Sequence, residues 1–283
     1  MTRFESSWKI RARCLATGVL MLTGVLMLFT ASARAECADW AVGPQKGTLS
    51  SRWVELDESD QSLLLERGNL STMGLTVSTR CKSTNWTFAF QEAHGQRHYR
   101  GLSNKGQTLE TNSQIRQKNW GIEADVPITD HWLWGARLQN HHIDRELQST
   151  SQANGYPETF RYWIAETGIQ LHQPLAKQWA WTADAWIGHI PVGRLNVDLP
   201  NADPTTLRLG QGHTTEWGVG LMYSPAEATT GLHWSIRWHV RTTAISAGTS
   251  TPLFRGQRLV GTARQPETHQ HSRRLTLQAQ YRF

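Results

Sequence analysis

Histidines and carboxylates are the groups in this chain with chemistry to offer, and they gather in two short pieces. His141-His142-Ile-Asp144-Arg-Glu146 sets two imidazoles beside two carboxylates, and His269-Gln-His271 spaces two imidazoles by one residue. An imidazole next to a carboxylate can ligate a transition metal or act as a general base in hydrolysis. Alternate residues share a face of a strand, so His269 and His271 point the same way, whereas His141 and His142 do not. The catalytic candidates are therefore His142 with Asp144, joined by His98 from an earlier segment. No fixed ligand spacing is present, so no metal and no cofactor are assigned. The plainer reading is a solvated, hydrogen-bonding rim. Serines occur, but no motif selects one as a nucleophile.

The elements that must carry these residues alternate with a period of two. In 232–241, Leu232, Trp234, Ile236, Trp238 and Val240 form one face, and His233, Ser235, Arg237, His239 and Arg241 form the other. The same pattern recurs with Trp86, Phe88 and Phe90, with Trp120, Ile122 and Ala124, with Trp179, Trp181 and Ala183, and with Trp217, Val219 and Leu221. After Thr30 no apolar run is long enough for a membrane-spanning helix. Strands can cross lipid only as a closed barrel, which pairs every backbone group internally. The expectation is all-β: a closed, antiparallel, up-and-down transmembrane β-barrel. Strands are placed near 48–58, 62–80, 84–100, 109–126, 131–147, 158–173, 178–194, 211–224, 232–247 and 267–283. That makes ten, and eight remains open because residues 66–69 could turn.

In this arrangement Glu123, Asp125, Arg137, Glu166, Asp184, Glu216, Arg237, Arg241 and Arg274 face the lumen. They read as an ion-paired plug; the alternative is a narrow, charge-lined pore. Trp86, Trp132, Trp134, Trp179, Trp181 and Trp234 begin strands, while Tyr223, Tyr281 and Phe283 end them. All nine therefore gather at one rim as an aromatic girdle. Cys37 and Cys81 fall together at that rim, where an oxidising compartment favours a disulfide; two free thiols are the alternative.

Residues 1–35 read as a cleaved secretory signal. Arg3, Lys9, Arg11 and Arg13 precede an apolar stretch, and Ala33-x-Ala35 supplies small residues for cleavage. The signal holds five of the 29 basic residues and one of the 23 acids. The remainder is close to neutral, so charge gives no argument for nucleic acid. Residues 36–47 are expected as a periplasmic lead-in and 48–283 as the barrel. From Leu275 to Phe283 apolar residues alternate up to a terminal aromatic.

That last strand resembles the one by which outer-membrane barrels are recognised for assembly, and residues 48–283 resemble bacterial outer-membrane β-barrel proteins in architecture. Trp53-x-Glu55-x-Asp57, Glu66-x-Gly68-x-Leu70 and Gln265-Pro266-Glu267 look like motifs of a group of barrels without an assigned function. The chain departs from that group at Ser59-Asp60, where a glycine is usual, and at Thr268, where a serine is usual. The resemblance implies an outer-membrane location, contact with membrane lipid and lipopolysaccharide, an encounter with the assembly machinery through the strand ending at Phe283, and a single-copy barrel. It carries no catalytic residues. The omptin proteases are ten-stranded barrels with Asp and His pairs at the rim, and the pairing of His142 with Asp144 is the one local match. The function expected is a surface structural, adhesive or ligand-contact role; an omptin-like hydrolase or a small-solute pore are the alternatives.

Overall fold

A computed structural model describes residues 37–102, 107–225 and 230–283. The signal reading of residues 1–35 lies outside the described residues. The described residues form fourteen strands: β1 (Cys37–Leu56), β2 (Ser62–Cys81), β3 (Thr84–Leu102), β4 (Thr108–Pro127), β5 (Trp132–Leu147), β6 (Pro157–Ala176), β7 (Trp179–Ile190), β8 (Gly193–Val197), β9 (Thr205–Leu209), β10 (Gly212–Tyr223), β11 (Gly231–Ile245), β12 (Thr251–Arg255), β13 (Arg258–Ala263) and β14 (Glu267–Arg282). Each pairs antiparallel with its neighbours. β14 returns to β1 and β5 pairs with β6, so the sheet closes.

Ten staves make the wall, and two of them are broken. Pro191-Val192 interrupts one stave into β7 and β8, which both pair with β6. Gly210-Gln211 likewise separates β9 from β10. Residues 195–210 and 248–266, left between the expected strands, therefore hold β9, most of β8 and the β12–β13 hairpin. Residues 66–69 do not turn. Arg67 stands in mid-strand between Arg52 and His98, which removes the eight-strand count. The first hairpin turns instead at Asp57, whose Oδ1 accepts from the amides of Ser59 (2.7 Å) and Gln61 (2.9 Å). Asp60 there adopts φ 60°, a left-handed conformation that Asp tolerates.

Residues 37–47, expected as a lead-in, are the first half of β1 and pair on both sides. Gly43-Pro44 and Gly47 hide the alternation there, because the outward face shows only Trp40 and Val42 as large apolar groups. At this end Cys37 lies opposite Cys81, and the two form a disulfide. Both described chain ends and the connections 82–83, 128–131 and 177–178 share this rim, as do Tyr223 at the end of β10 and Gly231 at the start of β11. The larger excursions leave the opposite one.

The outer wall carries exposed apolar side chains, among them Leu75, Phe88, Ile169, Val219, Ile236 and Leu277. From Trp163 down to Leu171 on β6 is eight residues, roughly 20 Å along the axis at a rise of about 3.3 Å and a tilt of about 40°. At the disulfide rim Tyr223 lies between Trp179 and Trp234, and the Phe283 amide donates to the Trp40 carbonyl at 2.9 Å. At the far edge of the belt Trp120 packs on Trp163 (4.8 Å) and Trp217 on Trp238 (4.9 Å). The apolar band is thus bounded by aromatics on both sides. It faces outward from a closed wall, as a bilayer-spanning barrel requires.

Candidate functional site

The lumen contains two charged assemblies, one above the other. In the half nearer the disulfide, Arg137 (β5) pairs with Glu166 across the β5–β6 ladder, and Glu216 (β10) pairs with Arg241 (β11) at 2.6 Å. The two pairs then join across the interior. Arg137 Nη2 donates to Glu216 Oε1 at 2.9 Å, and Arg241 Nη2 to Glu166 Oε2 at 3.2 Å. Two guanidinium groups alternate with two carboxylates in a closed quartet. Desolvation opposes burying any of these charges, and only such mutual pairing and hydrogen bonding offsets it.

Small residues make the room. A Cβ at Gly188, between Glu166 and Thr214 in register, would stand 2.4 Å from Glu166 Cγ. A Cβ at Gly168 would meet the Trp186 ring at 2.5 Å. With that space free, the indole lies against the wall, donates to Asp184 at 3.0 Å and presents its face to Arg137 at 4.2 Å.

Below the quartet a cavity of about 290 Å³ is lined by amides, hydroxyls and charged groups. Glu123 and Asp125 both accept from Gln170, at 3.0 and 2.7 Å. Arg274 donates to Gln91 at 2.9 Å, and Arg237, on the neighbouring strand, has a buried Nε with no hydrogen-bond partner among the described residues. His239 stands 3.4 Å from Asp184. Asp184, Glu216 and His239 present ligand atoms within 4.8 Å of one another. Both Glu216 oxygens already accept from arginines, so a metal there would have to displace two guanidinium groups. The nine residues expected in the lumen thus all face it. Seven are linked to other lumen side chains by hydrogen bonds or ion pairs, Arg274 reaches Gln91, and among the described residues Arg237 makes no ion pair.

Above the quartet the interior changes character. Trp53, Leu70, Ile115, Ile143, Phe160, Ile164, Ile190, Leu195, Leu207 and Ile245 form one buried cluster drawn from most of the staves. Set within it, Arg145 donates to Glu158 (2.5 Å) and Glu55 (3.1 Å), and lies 3.5 Å from Glu66, which Arg97 approaches at 3.6 Å. Trp53 donates to Glu55 at 3.0 Å and stacks edge-on to Phe160 at 5.1 Å. Arg97 is 1% exposed and Glu66 0%, so these charges are enclosed within the cluster.

Sequence reasoning missed this assembly. Its traces are Trp53-x-Glu55 and Glu66-x-Gly68-x-Leu70, whose named residues other than Gly68 are all buried here. The signal that could have found it is a reversal of the alternation. On β5, Trp134 and Leu138 face outward, yet higher up Ile143 and Leu147 face in while His142, Asp144 and Glu146 face out.

That reversal places the catalytic candidates on the outer wall. His142 Nε2 lies 3.0 Å from Asp144 Oδ1, which also accepts from Thr159 at 2.9 Å. His98 does not join them. His94 and Arg116 occupy the row of Asp144, and His98 is two strands away and four residues further along β3. On β14, His269 meets Glu267 at 2.7 Å and His271 meets Thr242 at 3.3 Å, again without a third partner suited to catalysis.

No family model and no curated protein sequence matches the chain. Among solved structures it resembles the outer membrane protease OmpT from Escherichia coli, at 11% identity over 87% of this chain and 96% of that one, with a TM-score of 0.50. The translocator domain of autotransporter NalP from Neisseria meningitidis aligns at 10% identity over 96% and 98%, with a TM-score of 0.43. The likeness is one of fold. With the closed wall and the apolar band, it is the architecture of bacterial outer-membrane barrels.

Proposed function

We propose that this chain, an outer-membrane β-barrel, is a sealed barrel that acts through its external face in a structural, adhesive or ligand-contact role. The observation that carries this reading is the two-layer closure of the lumen. A cavity open to water at the quartet would conduct; here Trp53, Phe160 and the Arg145 carboxylate cluster stand above it. The orientation that fits has the disulfide, the short connections and Phe283 on the periplasmic side. The β8–β9 and β12–β13 excursions then stand outside, where recognition is commonly carried by loops on a rigid scaffold. They brace each other: the Asp203 amide donates to the Phe254 carbonyl at 2.7 Å, and the Gly256 amide to Asp203 Oδ2 at 2.8 Å.

In this reading residues 1–35 are the export signal, the nine rim aromatics anchor the periplasmic interface, and β14 presents its end at Phe283 to the assembly machinery. The barrel stands as a single copy in contact with lipid and lipopolysaccharide. A hydrolase would need His98 to join His142 and Asp144, and the register keeps it two strands away. A pore would need a path past Arg237, Arg241 and Arg274 that continues beyond the apolar cluster. Conductance of the refolded barrel in a planar bilayer tests the seal: silence supports it, and steady channels with a polar-solute selectivity overturn it.

A further inference from the structure

On the outer wall, immediately beyond the upper tryptophans, one row of side chains runs across five neighbouring strands. Lys118 (β4) pairs in register with His142 (β5), His142 with Arg161 (β6), Arg161 with Arg194 (β8), and Arg194 with Arg208 (β9). Directly opposed residues hold their Cβ atoms about 5 Å apart, and like charges at that spacing repel. Arg161, Arg194 and Arg208 are all exposed, and among the described residues none has a carboxylate within 4.0 Å. The acids that do stand nearby are engaged. Asp144 holds His142 and Thr159, and Glu92 at the end of the row pairs with Arg116 at 2.5 Å. Three arginines in consecutive register, left unneutralised by the chain, call for an anion from outside.

Their height fixes which anion. Lys118 lies two residues beyond Trp120, and Arg161 two residues beyond Trp163, the packed indole pair that ends the apolar band. Amphipathic indoles mark the headgroup level, so the row sits at the phosphate plane of the leaflet on the excursion side. Planar guanidinium groups suit phosphate oxygens bidentately. We propose that Lys118, Arg161, Arg194 and Arg208, with His142 held by Asp144, form a binding site for the phosphate-bearing headgroup of the outer-leaflet glycolipid, lipid A. The site rests on the outer-membrane reading and its orientation; it supplies a protein-borne substitute for the divalent cations that otherwise neutralise such phosphates.

The test uses the whole barrel refolded in detergent, with native mass spectrometry reading bound bis-phosphorylated lipid A. Removing one arginine as Arg161→Gln, Arg194→Gln or Arg208→Gln is expected to weaken binding about fivefold, and removing all three on the order of a hundredfold. Dephosphorylated lipid A should bind as weakly as the triple variant does the intact lipid, and excess inorganic phosphate should not displace the lipid. Equal affinity for both lipids, or unchanged affinity in the variants, overturns the site. Displacement by phosphate alone assigns it to a free anion and overturns it too. The single variants keep the question decidable where the triple variant misfolds, since heat-modifiable gel mobility reports folding separately. A silent barrel that ignores lipid A removes only this site; a conducting barrel that binds lipid A removes only the seal.

Discussion

Arg137 and Glu216 meet across the lumen at 2.9 Å although β6 and β7 stand between their strands in the wall. Their contact turns two ordinary cross-strand pairs into one transverse brace. A double-mutant cycle with Arg137→Gln and Glu216→Gln should show a coupling of about 1–3 kcal/mol in urea unfolding of the refolded barrel. Each single change should cost more than half of what the double change costs, because each strands a buried charge. Strict additivity would mean that the two side chains do not share a network.

Arg145 faces three buried carboxylates, Glu55, Glu66 and Glu158. Arg145→Ala leaves all three without their common cation, at an expected cost of about 3–5 kcal/mol. Arg100→Ala serves as the comparison, since that residue is exposed and pairs with Glu110 at 3.6 Å; it should change stability by less than about 1 kcal/mol. Similar losses for both would contradict the burial of the Arg145 cluster.

The disulfide joins directly opposed residues, the first of β1 and the last of β2. Non-reducing peptide mapping should find Cys37 and Cys81 in one cross-linked product. Replacing both by serine should lower the stability of the refolded barrel by about 2–4 kcal/mol while leaving its strand content intact. Free thiols at both positions would rule the link out.

Gly188 leaves room for Glu166, so Gly188→Val should push that carboxylate out of the quartet. Overpacking of this kind costs typically about 1–3 kcal/mol. Thr249→Val, at an exposed position between β11 and β12, gives the contrast of open space. Thermal unfolding of the two variants should differ clearly, and equal shifts would argue that the space at Gly188 is not used.

The lower half of the barrel was legible from residue order because lipid outside and charge inside produce a single alternation. Trp234, Ile236 and Trp238 faced out against Arg237 and His239 as read, and the lumen charges followed from the same phase. The upper half was not legible because the rule inverts there. Beyond the apolar band outward positions such as His142 and Arg161 are polar, while inward positions such as Ile143 and Phe160 build a core. Reading histidine as rim therefore left the facing of His142 and Asp144 unsettled. The first half of β1 was lost for a different reason: Gly43, Pro44 and Gly47 carry weak strand propensity, and only pairing with β2 and β14 makes them a strand.

Single-channel recording of the refolded barrel in a planar bilayer, in parallel with Arg237→Ala and with Trp53→Ala, tests the sealed lumen most directly. The account predicts no steady conductance from the parent chain or from Arg237→Ala, because Arg237 lies below the seal, and openings only where Trp53→Ala has hollowed the plug. Steady conductance from the parent chain that shifts in Arg237→Ala would contradict it and make the lumen a pore.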